Sequence, residues 1–241
     1  MRVNLSGIVA ADEDVEIYQW FGYKAFGPQA VRDAIAQNPA GEELVLEINS
    51  GGGSVMAGSE IYSVLRAAES VRSRAEIQSL AASAASYLAL GCRRVDISPA
   101  AQMMIHLPTT RTDGDRNDHL ESVQVLDTIR DSILNVYELK CAGKTPRSEL
   151  KRLMNAATWL TAQEAVQLGL CDGILGEDAG ALVAPANIMN AAGGLPDIAA
   201  LRAQYRAAQE QKPATPGEKP VEHTPNDWQA EARLAIEKIR F

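Results

Sequence analysis

The segment ELVLEINSGGGSVMAGSEIYSVLRAAE, residues 43–69, constrains the fold more than any other. Leu44, Val45 and Leu46 are consecutive and apolar, the pattern of a strand covered on both faces, as in a parallel sheet. Three glycines follow, Gly51 to Gly53, and a helical pattern then runs over 54–69. A buried strand that turns directly into a helix is half of a βαβ unit, and the first 177 residues repeat that alternation. The patterning predicts strands at 3–10, 43–50, 75–82, 93–99 and 102–108. It predicts helices at 27–38, 54–69 and 119–143, a small-residue helical stretch at 82–91, and a helix, turn and final strand over 161–175. The fold class read from this is α/β.

The alternation stops near residue 178. Pro185, Pro196, Pro213, Pro216, Pro220 and Pro225 fall beyond it, six of the chain's 11 prolines. The stretch QKPATPGEKPVEHTPND at 211–227 has no apolar period and many breakers, so a disordered linker is expected there, near 211–226, open to proteolysis. Short helical patterns flank it at 197–210 and 227–241. The expected organisation is therefore one catalytic-size unit at 1–177 and a helical, Pro-rich tail at 178–241.

Composition narrows the function classes. Lys and Arg number 23 against 31 Asp and Glu, a net charge of −8, which repels phosphate backbones and argues against nucleic-acid binding. No apolar run approaches the ~18 residues that span a bilayer, and the N-terminus lacks the apolar core of a secretory signal, so a cytoplasmic protein with no membrane attachment is expected. Cys92, Cys141 and Cys171 are too few and too scattered for a disulfide framework or a zinc site, and read as buried thiols. No cofactor or metal is expected.

Three features carry chemistry. The first is INSGGGSVMAG at 48–58, where glycines between strand and helix leave amide N–H groups free to hold a phosphate or an oxyanion. It lacks the Lys and Ser/Thr of a P-loop and does not fit GxGxxG, and a plain tight turn is the simpler alternative. The second is SLAASAASY at 79–87, a small-residue strand-to-helix junction of the kind that exposes a nucleophile, or that packs a helix closely. Spacing alone does not rank Ser79, Ser83 and Ser86. The third is His106 in QMMIHLP at 102–108, at the end of an apolar strand, where a side chain is presented to a cleft or hydrogen-bonded in the core. His119, on a polar helix, and His223, in the linker, read as solvated bystanders.

Glycine turn, serine elbow and strand-end histidine, in that order, read as oxyanion donor, nucleophile and base. Here the sequence resembles the Clp protease proteolytic subunit (ClpP) family, and more narrowly the ClpP-like head-maturation (prohead) proteases of tailed phages. The resemblance spans roughly residues 3–176. INSGGGSVMAGSEIY resembles the family's INSPGG…AG..IY, SLAASAASYLAL its G.AAS.GA.LL, MMIHLP its MIH.P, and LTAQEAVQLGLCDGIL its LSA.EA...GL.D.I segment. It implies a ClpP/crotonase-like spiral of ββα units with a partly disordered C-terminal tail. It implies Ser83 as nucleophile, His106 as general base, and the amides of Gly53 and Ala84 as oxyanion donors. SGGG in place of SPGG loses a rigid proline but keeps the amides.

The same resemblance marks a gap. The family's acidic third residue falls on Ala157, two positions before Trp159, and alanine cannot orient an imidazole. Asn155 is the nearest polar alternative, but a helix-end cap is the preferred reading of it. The implied partners are protein substrates, capsid or scaffold proteins in the prohead branch, and further copies of the chain in a ring. An ATPase unfoldase is possible but not expected, and the implied location is the host cytoplasm or the assembling prohead. On the helix at 119–143, Leu120, Val123, Leu126, Ile129, Ile133, Val136 and Tyr137 form an apolar stripe that packs on the chain's own sheet or joins subunits. Two rivals share the fold class: an acyl-CoA-handling crotonase-like enzyme, which wants a Glu pair near the amides, and a non-enzymatic assembly or scaffold protein, which Ala157 favours. A Ser–Lys peptidase is disfavoured because no lysine lies between Lys24 and Lys140.

Overall fold

The computed structural model describes residues 1–176 and 196–210. The expected linker and the helix at 227–241 lie outside the described residues. Strands β1 (Arg2–Val9), β3 (Glu43–Gly53), β4 (Arg72–Ala82) and β5 (Arg94–Ile97) form the body of a parallel sheet, with β2 (Ala25–Phe26) and β8 (Gly173–Ile174) at its edges. The order is β2-β1-β3-β4-β5-β8. Helices α1 (Asp12–Trp20), α2 (Pro28–Gln37), α3 (Val55–Ala67) and α4 (Ala84–Leu88) connect the strands. The chain then continues through β6 (Gln102–Ile105), α5 (Arg116–Cys141), α6 (Arg147–Asn155), β7 (Thr158–Thr161) and α7 (Ala162–Leu168).

Each face of the sheet follows from the strand period. Leu44, Leu46 and Ile48 on β3, Ile77 on β4 and Ile97 on β5 are fully covered on the helix side. Burying each such side chain contributes about 1.5–3 kcal/mol. The Leu44–Leu46 run is buried throughout, but further along β3 the opposite face turns polar. Glu47, Glu76 and Asp96 stand in adjacent register across β3, β4 and β5. Arg2 bridges Glu47 (2.7 Å) and Glu76, and Arg94 pairs Asp96 at 2.7 Å. Glu76 and Asp96 are almost wholly covered, and buried carboxylates are tolerated only when paired in this way.

One junction positions the site. β4 is long enough to carry two neighbours on the same edge: Arg74–Ile77 pairs with β5, and Leu80–Ala82 pairs with β6. β6 then pairs antiparallel with β7. A register shift between Ile48 and Ser50 re-aims the end of β3 at the same level. The sheet thus forks where β4 ends, and the strand that carries His106 starts from the fork.

Some elements depart from the sequence expectation. α1, β2, α6 and β7 were not expected. The long helix begins at Arg116, where Asp115 and Asp118 form a capping box, so its start lies three residues earlier than 119. Its apolar stripe is buried only in the second half: Ile133, Leu134 and Tyr137 are core, while Leu120 and Val123 are 45% and 54% exposed. The tail helix α8 (Ile198–Glu210) packs on α1. Arg202 pairs with Asp14 at 2.5 Å, Tyr205 donates to Glu16 at 2.9 Å, and Ile198 and Leu201 cover Tyr18 and Ala25.

Candidate active site

Ser83 follows the last residue of β4 and precedes the first of α4. Its backbone lies at φ 52°, ψ −123°, a conformation that a non-glycine residue adopts only under constraint, at a cost of about 1–3 kcal/mol. The constraint is visible. The Ser83 N–H donates to Met104 O at 2.9 Å, and its carbonyl accepts from Ser86 N at 3.0 Å. The effect is a sharp strand-to-helix turn that stands the hydroxyl off the sheet.

His106 follows β6 directly. The parallel register Ala81↔Met103 and Ala82↔Met104 carries the two chains forward together, so the residue after β4 and the residue after β6 emerge side by side. His106 Nε2 lies 2.7 Å from Ser83 Oγ, although 23 residues separate them. The other two serines of the elbow make different contacts. Ser79 is exposed on β4. Ser86 is fully buried, and its hydroxyl bonds the Ser83 carbonyl and Tyr137. His119 is exposed on α5, and His223 lies outside the described residues.

The glycine turn ends β3 against this elbow. A Cβ added to Gly52, which has φ +97°, would come within 2.7 Å of both Ala82 O and Ser83 Cβ, and 3.0 Å of Ala84 N. Ser50 pins the turn from below, its hydroxyl donating to Gly7 O at 2.6 Å and accepting from Gly52 N at 3.1 Å. Tyr87 on α4 donates to Val55 O at 2.7 Å, tying elbow and turn together. Gly52→Ala is therefore expected to displace the elbow: activity should fall at least about 100-fold, with a stability loss of about 1–3 kcal/mol in thermal unfolding. Wild-type turnover in that variant would show that the turn has room to relax.

A cleft of about 240 Å³ runs from Gly53 past Pro108 to α5. Val55, Met56, Pro108, Val125, Leu126 and Ile129 give it an apolar wall, and Met56 is 59% exposed. Burial lowers the His106 pKa below its ordinary 6.5. A carboxylate neighbour would act in the opposite direction.

The expected place of the acid lies just past the end of the β6–β7 ladder. β6 and β7 pair Met104↔Trp159 and Ile105↔Thr158, where the pairing ends, and His106 and Ala157 are the next residue outward on each segment. Ala157 has a left-handed φ of 48°. Asn155 is the exposed last residue of α6 and makes no hydrogen bond to His106 among the described residues. Among the described residues His106 has Ser83 as its one hydrogen-bond partner.

Comparison with known proteins matches residues 34–178 to the Clp protease family. The chain belongs to the Clp protease family. ATP-dependent Clp protease proteolytic subunit 1 of Chlamydia abortus is 34% identical over 143 residues, 57% of this chain and 72% of that protein. The corresponding subunit of Chlamydia trachomatis serovar D is 33% identical over 144 residues, again 57% and 72%. The chain is thus a serine-type peptidase with the ClpP-like α/β fold. The family match covers the glycine turn, the elbow, His106 and the final LTAQEAVQLGLCDGIL segment, and leaves β1 and α1 outside. No helix among the described residues is long and apolar enough to cross a membrane.

Proposed function

We propose that this Clp-family peptidase cleaves peptide bonds with Ser83 as nucleophile and His106 as general base. The observation that carries the reading is the 2.7 Å contact between His106 Nε2 and Ser83 Oγ on a strained strand-to-helix turn. His106 takes the hydroxyl proton as Ser83 attacks the carbonyl, returns it to the leaving amine, and activates the water that hydrolyses the acyl-enzyme. The N–H groups of Gly53 and Ala84 receive the oxyanion. Ala84 is the first residue of α4, so its N–H has no acceptor within the helix. The Ser54 N–H, next along the chain from Gly53, is taken by Val9 O on β1 at 2.8 Å. The apolar cleft at Val55, Met56 and Ile129 suits an apolar substrate side chain next to the scissile bond.

The base must be neutral to accept a proton, and burial disfavours its charged form. The activity should therefore rise with pH through a midpoint below 6.5, the ordinary histidine value, and level off above it. A midpoint above 6.5 in kcat/KM would mean that a negative charge faces the ring after all.

The natural substrates proposed are capsid or scaffold proteins of a tailed phage, cut within an assembling prohead by a ring of copies of this chain without an unfoldase. The motif resemblance and the tail beyond 178 support this branch. The half-covered α5, with Leu120 and Val123 exposed, supports contact between copies. Domain limits of 1–177 for the peptidase and 178–241 for the tail belong to the same reading. The test is fluorophosphonate labelling of the full chain with mapping of the modified residue, followed by incubation with the capsid and scaffold precursors. Labelling at Ser83 and Ser83-dependent processing are expected. Correctly assembled protein that takes no label would favour a scaffold role.

A further inference from the structure

We propose that Ser86 and Tyr137 are positioning residues: a buried chain of hydroxyls, from Tyr137 to Ser86 to the Ser83 carbonyl, holds the Ser83–Ala84 peptide in the orientation that presents the Ala84 N–H to the reacting carbonyl. The inference rests on the reading of Ser83 and Ala84 given above, and it assigns a role to two side chains outside that machinery.

The direction of the chain follows from its donors. The Ser86 hydroxyl donates to Ser83 O at 2.6 Å, and a carbonyl can only accept. Its single proton is thereby committed, so the Tyr137 hydroxyl, 2.6 Å away, must donate to Ser86 Oγ. Ser86 and Tyr137 are 0% and 1% exposed, so water does not compete for either group. Burial also raises the Tyr137 pKa, which keeps its proton in place at any working pH. With the Ser86 backbone N–H at 3.0 Å, the Ser83 carbonyl is held by two donors of one residue.

The consequence lies in the planarity of the peptide. The C=O of Ser83 and the N–H of Ala84 belong to one rigid trans unit and point in opposite directions. Fixing the oxygen towards Ser86 therefore fixes the N–H away from it. That is the side of Gly52, where an added Cβ would stand 3.0 Å from Ala84 N. Half a turn of this peptide would withdraw the donor and set a carbonyl in its place, repelling a developing oxyanion. Such a turn is a real alternative because Ser83 already sits at a positive φ, which local backbone preference does not favour. Tyr137 extends the brace into α5, so the longest helix among the described residues is tied to the elbow by this bond.

The test uses the full-length protein with Ser86→Ala, Tyr137→Phe and the double variant. Three quantities are measured: kcat and KM on a peptide amide, the rate of phosphonylation by a fluorophosphonate, and the thermal unfolding midpoint. Ser86→Ala should lower kcat roughly 10- to 100-fold with KM within about twofold, because an oxyanion donor acts in the transition state. Phosphonylation should slow in parallel. Tyr137→Phe leaves the Ser86–Ser83 bond and should cost less, roughly 3- to 10-fold. Ser86→Ala also strands the Tyr137 hydroxyl in the core, and the double variant removes that stranded group, so its unfolding midpoint should recover. Its kcat should stay at the Ser86→Ala level. An unchanged kcat in Ser86→Ala, or a kcat that recovers with the unfolding midpoint in the double variant, would overturn the proposal while leaving the Ser83 reading standing. Wild-type protein with no Ser83-dependent phosphonylation would overturn both.

Discussion

Ser83→Ala should reduce peptide cleavage by roughly 10⁴- to 10⁶-fold and abolish fluorophosphonate labelling, with fold and assembly intact. The size of the effect follows from covalent chemistry: without Oγ there is no acyl-enzyme, and only binding and the oxyanion amides remain to speed attack by water. The fold should survive because, among the described residues, Ser83 contributes no side-chain hydrogen bond other than the one to His106. The bonds that shape the elbow come from its backbone N–H and carbonyl, which alanine keeps. Alanine at φ 52° is about as strained as serine, so the unfolding midpoint should move little. Active-site titration, steady-state turnover and thermal unfolding together check this. Undiminished cleavage in Ser83→Ala would remove the serine mechanism outright. A collapse of the fold would instead make the His106 contact structural.

Ala157→Asp is expected to move activity the other way. In a serine–histidine pair a buried carboxylate fixes the imidazole tautomer and stabilises the imidazolium, and its conversion to an amide can cost about 10⁴ in turnover. Here alanine stands at the position where the motif resemblance places the acid, one residue past the last β6–β7 pair, so that contribution is missing at this position. Ala157 and His106 each lie one residue beyond the Ile105↔Thr158 pair, and an aspartate there is expected to reach the ring. The left-handed φ of 48° at Ala157 is also one that aspartate tolerates better than most residues. Since the new site is untuned, a gain of roughly 10- to 10³-fold in kcat is expected rather than the full factor. The sign of the pH shift is a second, independent readout. A negative charge favours imidazolium, so the acidic limb of kcat/KM should move to higher pH while the plateau rises. Asn155→Ala, at an exposed position with no bond to His106, should change neither. If Ala157→Asp moves neither the plateau nor the limb, the second ring nitrogen is held by some other group.

Much of the architecture was legible because the signals were local. The Leu44–Val45–Leu46 run and the glycines lie within a dozen residues, and each acts on its own neighbours. α1 and α6 were harder to see. DEDVEIYQW buries only Asp14 and Tyr18 and shows no apolar stripe, while RSELKRLMN carries Leu150, Leu153 and Met154 at helical spacing but over only nine residues. β2 and β7 are two and four residues long, too short for a period of two to register. The stripe on α5 was visible, but its period could not say that packing would stop half-way along.

Among Ser79, Ser83 and Ser86 the residue pattern left a tie, which the motif resemblance broke in favour of Ser83. Geometry separates them by where each hydroxyl points: to solvent, to His106, or into the core beside Tyr137. Tyr137 carried no functional signal in the sequence, since a tyrosine in an apolar stripe is indistinguishable from any other core residue until its hydroxyl finds a partner.

The sequence by itself determined the α/β alternation of the main elements, the glycine turn, the elbow and the candidate residue types, because side-chain period and turn chemistry are properties of adjacent residues. Only the tertiary structure decided that Ser83 and His106 stand 2.7 Å apart and that the segment ending in Ala157 runs beside the strand that leads to the histidine. Those distances depend on β4 taking two neighbours along one edge and on β7 returning antiparallel to β6. Strand pairing joins segments tens of residues apart, and no local preference along the chain encodes which edge a later strand will find.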